Sequence, residues 1–186
     1  MRITKILRKG QETILRFLNA FGGGSVALGA NNRYATPGFF IYANTSIRGY
    51  IENVFFKKEE LLLKALAESG LPTEEGPFGA MKKEQEKSKE TADLLFKAAP
   101  AWQAGEADAR VEVGWAASEY TALLWKHLER LRTLVFPLLE QNLLPEDERK
   151  MAEGLNSIVF AEALGEEGDP YLRLIEALEE ELADWK

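Results

Sequence analysis

The sequence predicts an all-α protein, and three observations carry that expectation. Apolar residues recur every three or four positions over long stretches, which is the period of an amphipathic helix. No run shows the strict alternation of a half-buried strand. Glycine and proline clusters punctuate the pattern and leave four long stretches, with short links after the second. That layout suggests an antiparallel up-down four-helix bundle with short additional C-terminal helices. At 186 residues, with 46% hydrophobic and 28% charged residues, the whole chain 1–186 fits one globular domain.

The elements follow in order. Ile3, Ile6, Leu7, Ile14, Phe17, Leu18 and Phe21 share helical spacing and predict a first helix over about 2–21. Gly22-Gly23-Gly24 should stop it, as glycine does past a helix C-terminus. Residues 22–38, rich in Gly and Asn and closed by Pro37-Gly38, then read as a long loop. Such a length is unusual between bundle helices and marks the loop as a candidate functional segment. A second helix is expected over about 39–68, with Ile41, Ile51, Phe55, Leu62, Leu63 and Leu66 on one side. Ser69-Gly70-Leu71-Pro72 ends it, and a third helix over about 78–98 follows. The charged run Lys82–Lys89 on that helix reads as a solvated face outside Gln85. Pro100 and Gly105 mark the next break, before a fourth helix over about 107–142 with Pro137 placed to kink or end it. A C-terminal helical extension occupies 145–186: Pro145-Glu146-Asp147 opens one helix, Gly165–Asp169 forms a loop, and Pro170 starts the last helix.

Composition narrows the function classes. The balance of 23 basic against 30 acidic residues, net -7, argues against nucleic-acid binding through the overall field. No stretch approaches the roughly 20 apolar residues of a membrane span, so no membrane partner is expected. The basic, amphipathic start Met1–Gly10 lacks an apolar core and a cleavage site and does not read as a signal peptide. Absence of Cys removes disulfides, thiolate metal sites and Cys nucleophiles, in keeping with the cytoplasm. Gly22-Gly23-Gly24 lacks the Lys-Ser/Thr of a phosphate loop. A single His, His127, makes a Ser/His/Asp triad improbable. Trp102, Trp115, Trp125 and Trp185 read as core and interface residues, with Trp125 on an outer, partner-facing side.

The chemistry-bearing residues are polar side chains placed on apolar stripes. Gln11 lies between Leu7, Ile14 and Leu18; Glu59 between Phe55, Leu62 and Leu66; Gln85 between Met81 and Ala92; His127 between Tyr120, Leu123, Leu131 and Leu134. Buried polar groups need partners, so these residues are expected to hydrogen-bond one another. Phe55 and Phe56 precede Glu59 and Glu60 by four residues, which stacks each aromatic beside a carboxylate on a helix.

Specific stretches resemble the hemerythrin-like, or HHE cation-binding, family. That family's second helix reads roughly His-His-Gly-Lys-Glu-Glu; this chain has Phe55-Phe56-Lys57-Lys58-Glu59-Glu60. The family's Gly-Leu-Pro linker and Gly-Pro-Ile-Gly-x-Met segment correspond to Gly70-Leu71-Pro72 and Gly76-Pro77-Phe78-Gly79-Ala80-Met81, followed by Glu84-Gln85 in place of Glu-His. His127-Leu128-Glu129-Arg130-Leu131 and Val135-Phe136-Pro137 match the last ligand helix, and a first-helix His would fall near Gln11. The resemblance implies a hemerythrin-like bundle. It also implies that Gln11, Phe55, Phe56, Gln85 and Leu131 stand at positions where the family places His or Glu, while Glu59, Glu60 and His127 persist. Two benzyl groups would fill such a cavity with carbon, each burying about 1.5–3 kcal/mol of hydrophobic free energy. Loss of the di-iron site is therefore expected, with no cofactor and no catalytic residues. The protein reads as a non-enzymatic binder of a small ligand or protein partner, with a homodimer as one arrangement. The alternative is a divergent cation-binding protein that senses or stores oxygen or metal, with one divalent metal or iron held by Glu59, Glu60, Glu84 and His127.

Overall fold

The computed structural model describes residues 1–163 and 170–186, the side chains of 157–163 excepted. Among the described residues the chain is helical with no strand. The order is α1 (Arg2–Gly29), α2 (Pro37–Ser46), a wide-turn π segment (Ile47–Phe56), α3 (Lys57–Glu68), α4 (Gly76–Gln103), α5 (Ala109–Arg130), a second π segment (Leu131–Val135), α6 (Phe136–Asn142), α7 (Pro145–Ala163) and α8 (Pro170–Asp184). Helix α4 packs along α5, α1 along α5, and α2 along α4. Helix α8 lies against α1 and α2, and α7 against α1 and α3. Their inner faces share one apolar cluster, from Ile3 and Phe17 through Phe40, Leu66 and Met81 to Leu124, Leu155 and Leu178.

Helix α1 corrects the expected first boundary. It passes through Gly22-Gly23-Gly24 and continues to Gly29, so the loop expected over 22–38 shrinks to residues 30–36. The glycines serve close approach and do not end the helix. A Cβ at Gly24 would overlap the Phe39 ring, one at Gly23 would lie 2.7 Å from Leu182 Cδ2, and one at Gly22 would lie 3.3 Å from the Thr121 methyl. Three neighbouring helices thus press on one spot of α1, and that packing outweighs the roughly 1 kcal/mol helix penalty of each glycine. Helix α1 ends where Asn31 turns left-handed at φ 56°. Thr36 is extended at φ -121°, ψ 149°, as a residue before proline prefers, and Pro37 opens α2.

The second expected helix continues from Pro37 to Glu68, but its middle unwinds into wide turns over Ile47–Phe56. A uniform 3.6-residue winding would drift the apolar stripe off the core across so long a run. The wider turns re-aim it and keep Ile47, Tyr50, Ile51, Phe55 and Phe56 buried. Helix α4 also overruns the break expected at Pro100. The proline sits in the last turn, and the helix ends at Gln103 with Gly105 at φ 91° accepting the left-handed position. Around Pro137 the helix neither stops nor resumes at once. The π segment Leu131–Val135 comes first, and Pro137 then falls in the opening turn of α6. The expected loop Gly165–Asp169 lies outside the described residues.

Candidate functional site

The site is an ionic knot in the core, assembled from α3, α4 and α5. Their inner faces carry Glu59, then Glu84 and Gln85, then His127. Glu59 and His127 are fully buried, and Glu84 and Gln85 are 7% and 5% exposed. The His127 ring lies between the two carboxylates. Its Nδ1–H donates to Glu84 Oε2 at 3.0 Å, and its Nε2–H faces both oxygens of Glu59 at 2.9 Å. Gln85 Nε2 donates to Glu59 Oε2, and Arg130 Nε donates to Glu84 Oε1 at 2.9 Å. Each carboxylate therefore accepts from two side chains, and two cations face two carboxylates.

Electrostatics follow from this geometry. Burial alone would push the imidazole pKa down. The charge of Glu59 and the hydrogen bonds to Glu59 and Glu84 outweigh it and raise His127 to about 9. The ring thus holds both protons at neutral pH, as its two donated hydrogen bonds require. Burial pulls Glu84 upward, but the hydrogen bonds from His127 and Arg130, together with their charges, hold it below the ordinary carboxylate range.

Aromatic carbon closes the knot. Phe56 meets the His127 ring edge-on, with centroids 5.6 Å apart at 77°. Phe55 points elsewhere, onto α1: a Cβ at Gly10 would lie 2.8 Å from Phe55 Cδ2. Leu131 is fully buried where α5 passes into wide turns. Just before it, Gln11 Nε2 donates to the Leu128 carbonyl at 3.2 Å, so α1 reaches the neighbourhood of the knot without joining it.

Several sequence expectations need correction. Glu60 is not part of the site: it is exposed and pairs with Lys89 at 3.3 Å. Phe56 and Glu60 do not share a face, because Phe56 is buried and Glu60 faces solvent. Phe56 instead sides with Glu59, one turn on and directed at the same imidazole. The charged run of α4 is not a solvated face at Glu84, which lies in the core. Arg130 escaped sequence reasoning altogether, although its position one turn beyond His127 was a usable signal. Of the Trp residues, Trp185 is buried against Phe39, with centroids 4.8 Å apart, while Trp115 and Trp125 are 59% and 43% exposed.

The arrangement does not fit a di-iron centre. Both imidazole nitrogens are committed to carboxylates, and a protonated ring offers no lone pair to a metal. Of the aromatic pair, only Phe56 presents carbon to the imidazole. Among the described residues no group of three or more His, Asp, Glu or Cys side chains has a metal-holding arrangement. A groove of about 450 Å³ between α3 and α7, lined by Leu61, Lys64, Ala65, Asp147, Lys150 and Met151, opens on the surface. None of those residues belongs to the knot.

What fold and site together define is an all-helical protein with a buried, charge-balanced His–carboxylate centre. Among the described residues no helix is long and apolar enough to cross a membrane. Comparison with protein-family models, curated proteins and solved structures finds no match. The likeness to the hemerythrin-like family therefore rests on the residues quoted above.

Proposed function

We propose that the chain is a single-domain, up-down four-helix bundle of hemerythrin-like type whose di-iron site has been replaced by an ion-pair network. On this reading it works without enzymatic chemistry, as a binding or interaction protein. One observation carries the proposal: both nitrogens of the sole imidazole are spent on Glu59 and Glu84. The protonated ring supplies inside the core the positive charge that a cation would otherwise bring to two buried carboxylates. Phe56 occupies the remaining space on one side of that ring. Binding to a partner or to a second copy would use the outer face of α5, where Val111, Trp115 and Trp125 fall within about 80° of one another by helical spacing and are exposed.

The test is elemental analysis of protein purified without chelator, combined with melting in the presence of Fe, Zn, Mn and Co. The proposal expects no stoichiometric metal and no rise in Tm with any of them. Close to two irons per chain would defeat it. The convergence of Glu59, Glu84, Gln85 and His127 also favours a second reading, in which one metal displaces the imidazolium proton and takes oxygen donors from the carboxylates. That reading expects a metal-dependent rise in Tm that His127→Ala abolishes.

A further inference from the structure

A second buried polar level lies about two turns from the knot. Tyr120 is fully buried and Ser88 is 1% exposed. Neither the phenol Oη, the Ser88 Oγ nor Glu52 Oε1 meets a protein hydrogen-bond partner among the described residues. The other Glu52 oxygen accepts from Arg48 Nη1 at 2.9 Å.

Contacts on the helix surfaces bring these three residues to neighbouring heights. Lys87 pairs with Glu119 at 3.8 Å, so their neighbours Ser88 and Tyr120 sit level on α4 and α5. Arg48 meets Asp93 at 2.6 Å, and Glu59 meets Gln85. As one number rises the other falls, so the two segments run in opposite directions and Glu52 is opposite the stretch between Gln85 and Asp93, which holds Ser88. The Phe21 ring closes the level from α1, edge-on to Tyr120 with centroids 6.1 Å apart.

Three buried oxygens left without partners would each cost about 1–3 kcal/mol, a large share of the roughly 5–15 kcal/mol that holds a domain folded. One acceptor and two hydroxyls that can donate or accept match the two to four partners of a buried water. Arg48 already places a guanidinium on Glu52, shared with the exposed Asp93, so a hydrogen-bond donor as small as water is enough at Oε1. We propose that Glu52 Oε1, Ser88 Oγ and Tyr120 Oη form an internal water-binding site between the π segment, α4 and α5, separate from the His127 network. Burial holds the Tyr120 phenol well above its ordinary pKa, with Glu52 raising it further and Arg48 lowering it, so the hydroxyl keeps the proton that it would donate.

The experiment pairs melting with NMR detection of long-lived water. Tyr120→Phe should lower Tm by about 2–4 °C, since the water loses a partner. Wild-type protein should show a cross-peak between slowly exchanging water and the Tyr120 hydroxyl proton. A variant that melts at or above the wild type overturns the site, because deletion of an unserved hydroxyl relieves its cost. Absence of water beside the Tyr120 hydroxyl overturns it as well. Should Tyr120→Phe fail to fold, Ser88→Ala carries the same melting test with the same expected direction.

Discussion

His127 and Tyr120 lie two turns apart on the same face of α5, and both are fully buried. The structure treats them differently. Around His127 each charged group meets an opposite one: imidazolium with Glu59 and Glu84, guanidinium with Glu84. Around Tyr120 the Phe21 ring packs edge-on, and among the described residues the hydroxyl meets no protein hydrogen-bond partner. The difference follows from what burial costs. An unpaired charge in the interior is penalised by several kcal/mol and must be matched by another charge held in place. An unpaired hydroxyl costs about 1–3 kcal/mol and can be served by something as small as water.

The largest way to break that contrast is His127→Ala. It leaves Glu59 and Glu84 buried with fewer partners, and urea unfolding should show a loss of about 3–5 kcal/mol. Neutralising the ring by pH is the gentler version. The folded pKa of about 9 stands above the ordinary 6.5, so the contribution of His127 is fully present below about pH 6.5 and is lost as pH rises through 9. The depressed Glu84 works the other way, with stability present above its ordinary pKa and lost as pH falls below it. Stability should therefore peak between about pH 5 and 6.5 and fall by a few kcal/mol toward pH 9. A flat profile from pH 6 to 9 in denaturant titrations would contradict the charged imidazole. Gly24→Ala tests packing with no change in charge: the new methyl meets the Phe39 ring, and overpacking of this kind costs about 1–3 kcal/mol. Arg130→Ala should do least, about 1 kcal/mol, because Arg130 is partly solvated and His127 remains on Glu84. Its useful readout is the imidazole titration by NMR, which should still lie well above 6.5.

Much of this was legible in sequence. Helical periodicity located the helical stretches, and the polar residues on apolar stripes located Glu59, Gln85 and His127, while Gln11 bonds to the Leu128 carbonyl instead. What escaped had physical reasons. Gly22-Gly23-Gly24 reads as a stop by propensity, yet those positions are where Phe39, Leu182 and Thr121 approach, a tertiary demand that propensity cannot report. In sequence Glu84 stands only as a candidate metal ligand and otherwise reads as part of a solvated charged run, because burial of a carboxylate depends on a cation from another helix. The separation of Phe56 from Glu60 depends on where the winding changes, and no residue type announces that change. Arg130 was visible only once His127 was known to need a neutralised neighbour.

The loosened winding over Ile47–Phe56 carries a consequence beyond packing. Each residue turns a regular helix by about 100° and a wide-turn helix by less, so rewinding that stretch as a regular helix at unchanged length would swing the whole of α3 round its axis. Glu59 would leave the imidazole, and a different side chain would face it. The electrostatic centre and the irregular coil beside it can therefore only be gained or lost together, and a descendant of this chain that straightened the coil would have to rebuild its charge balance from other residues.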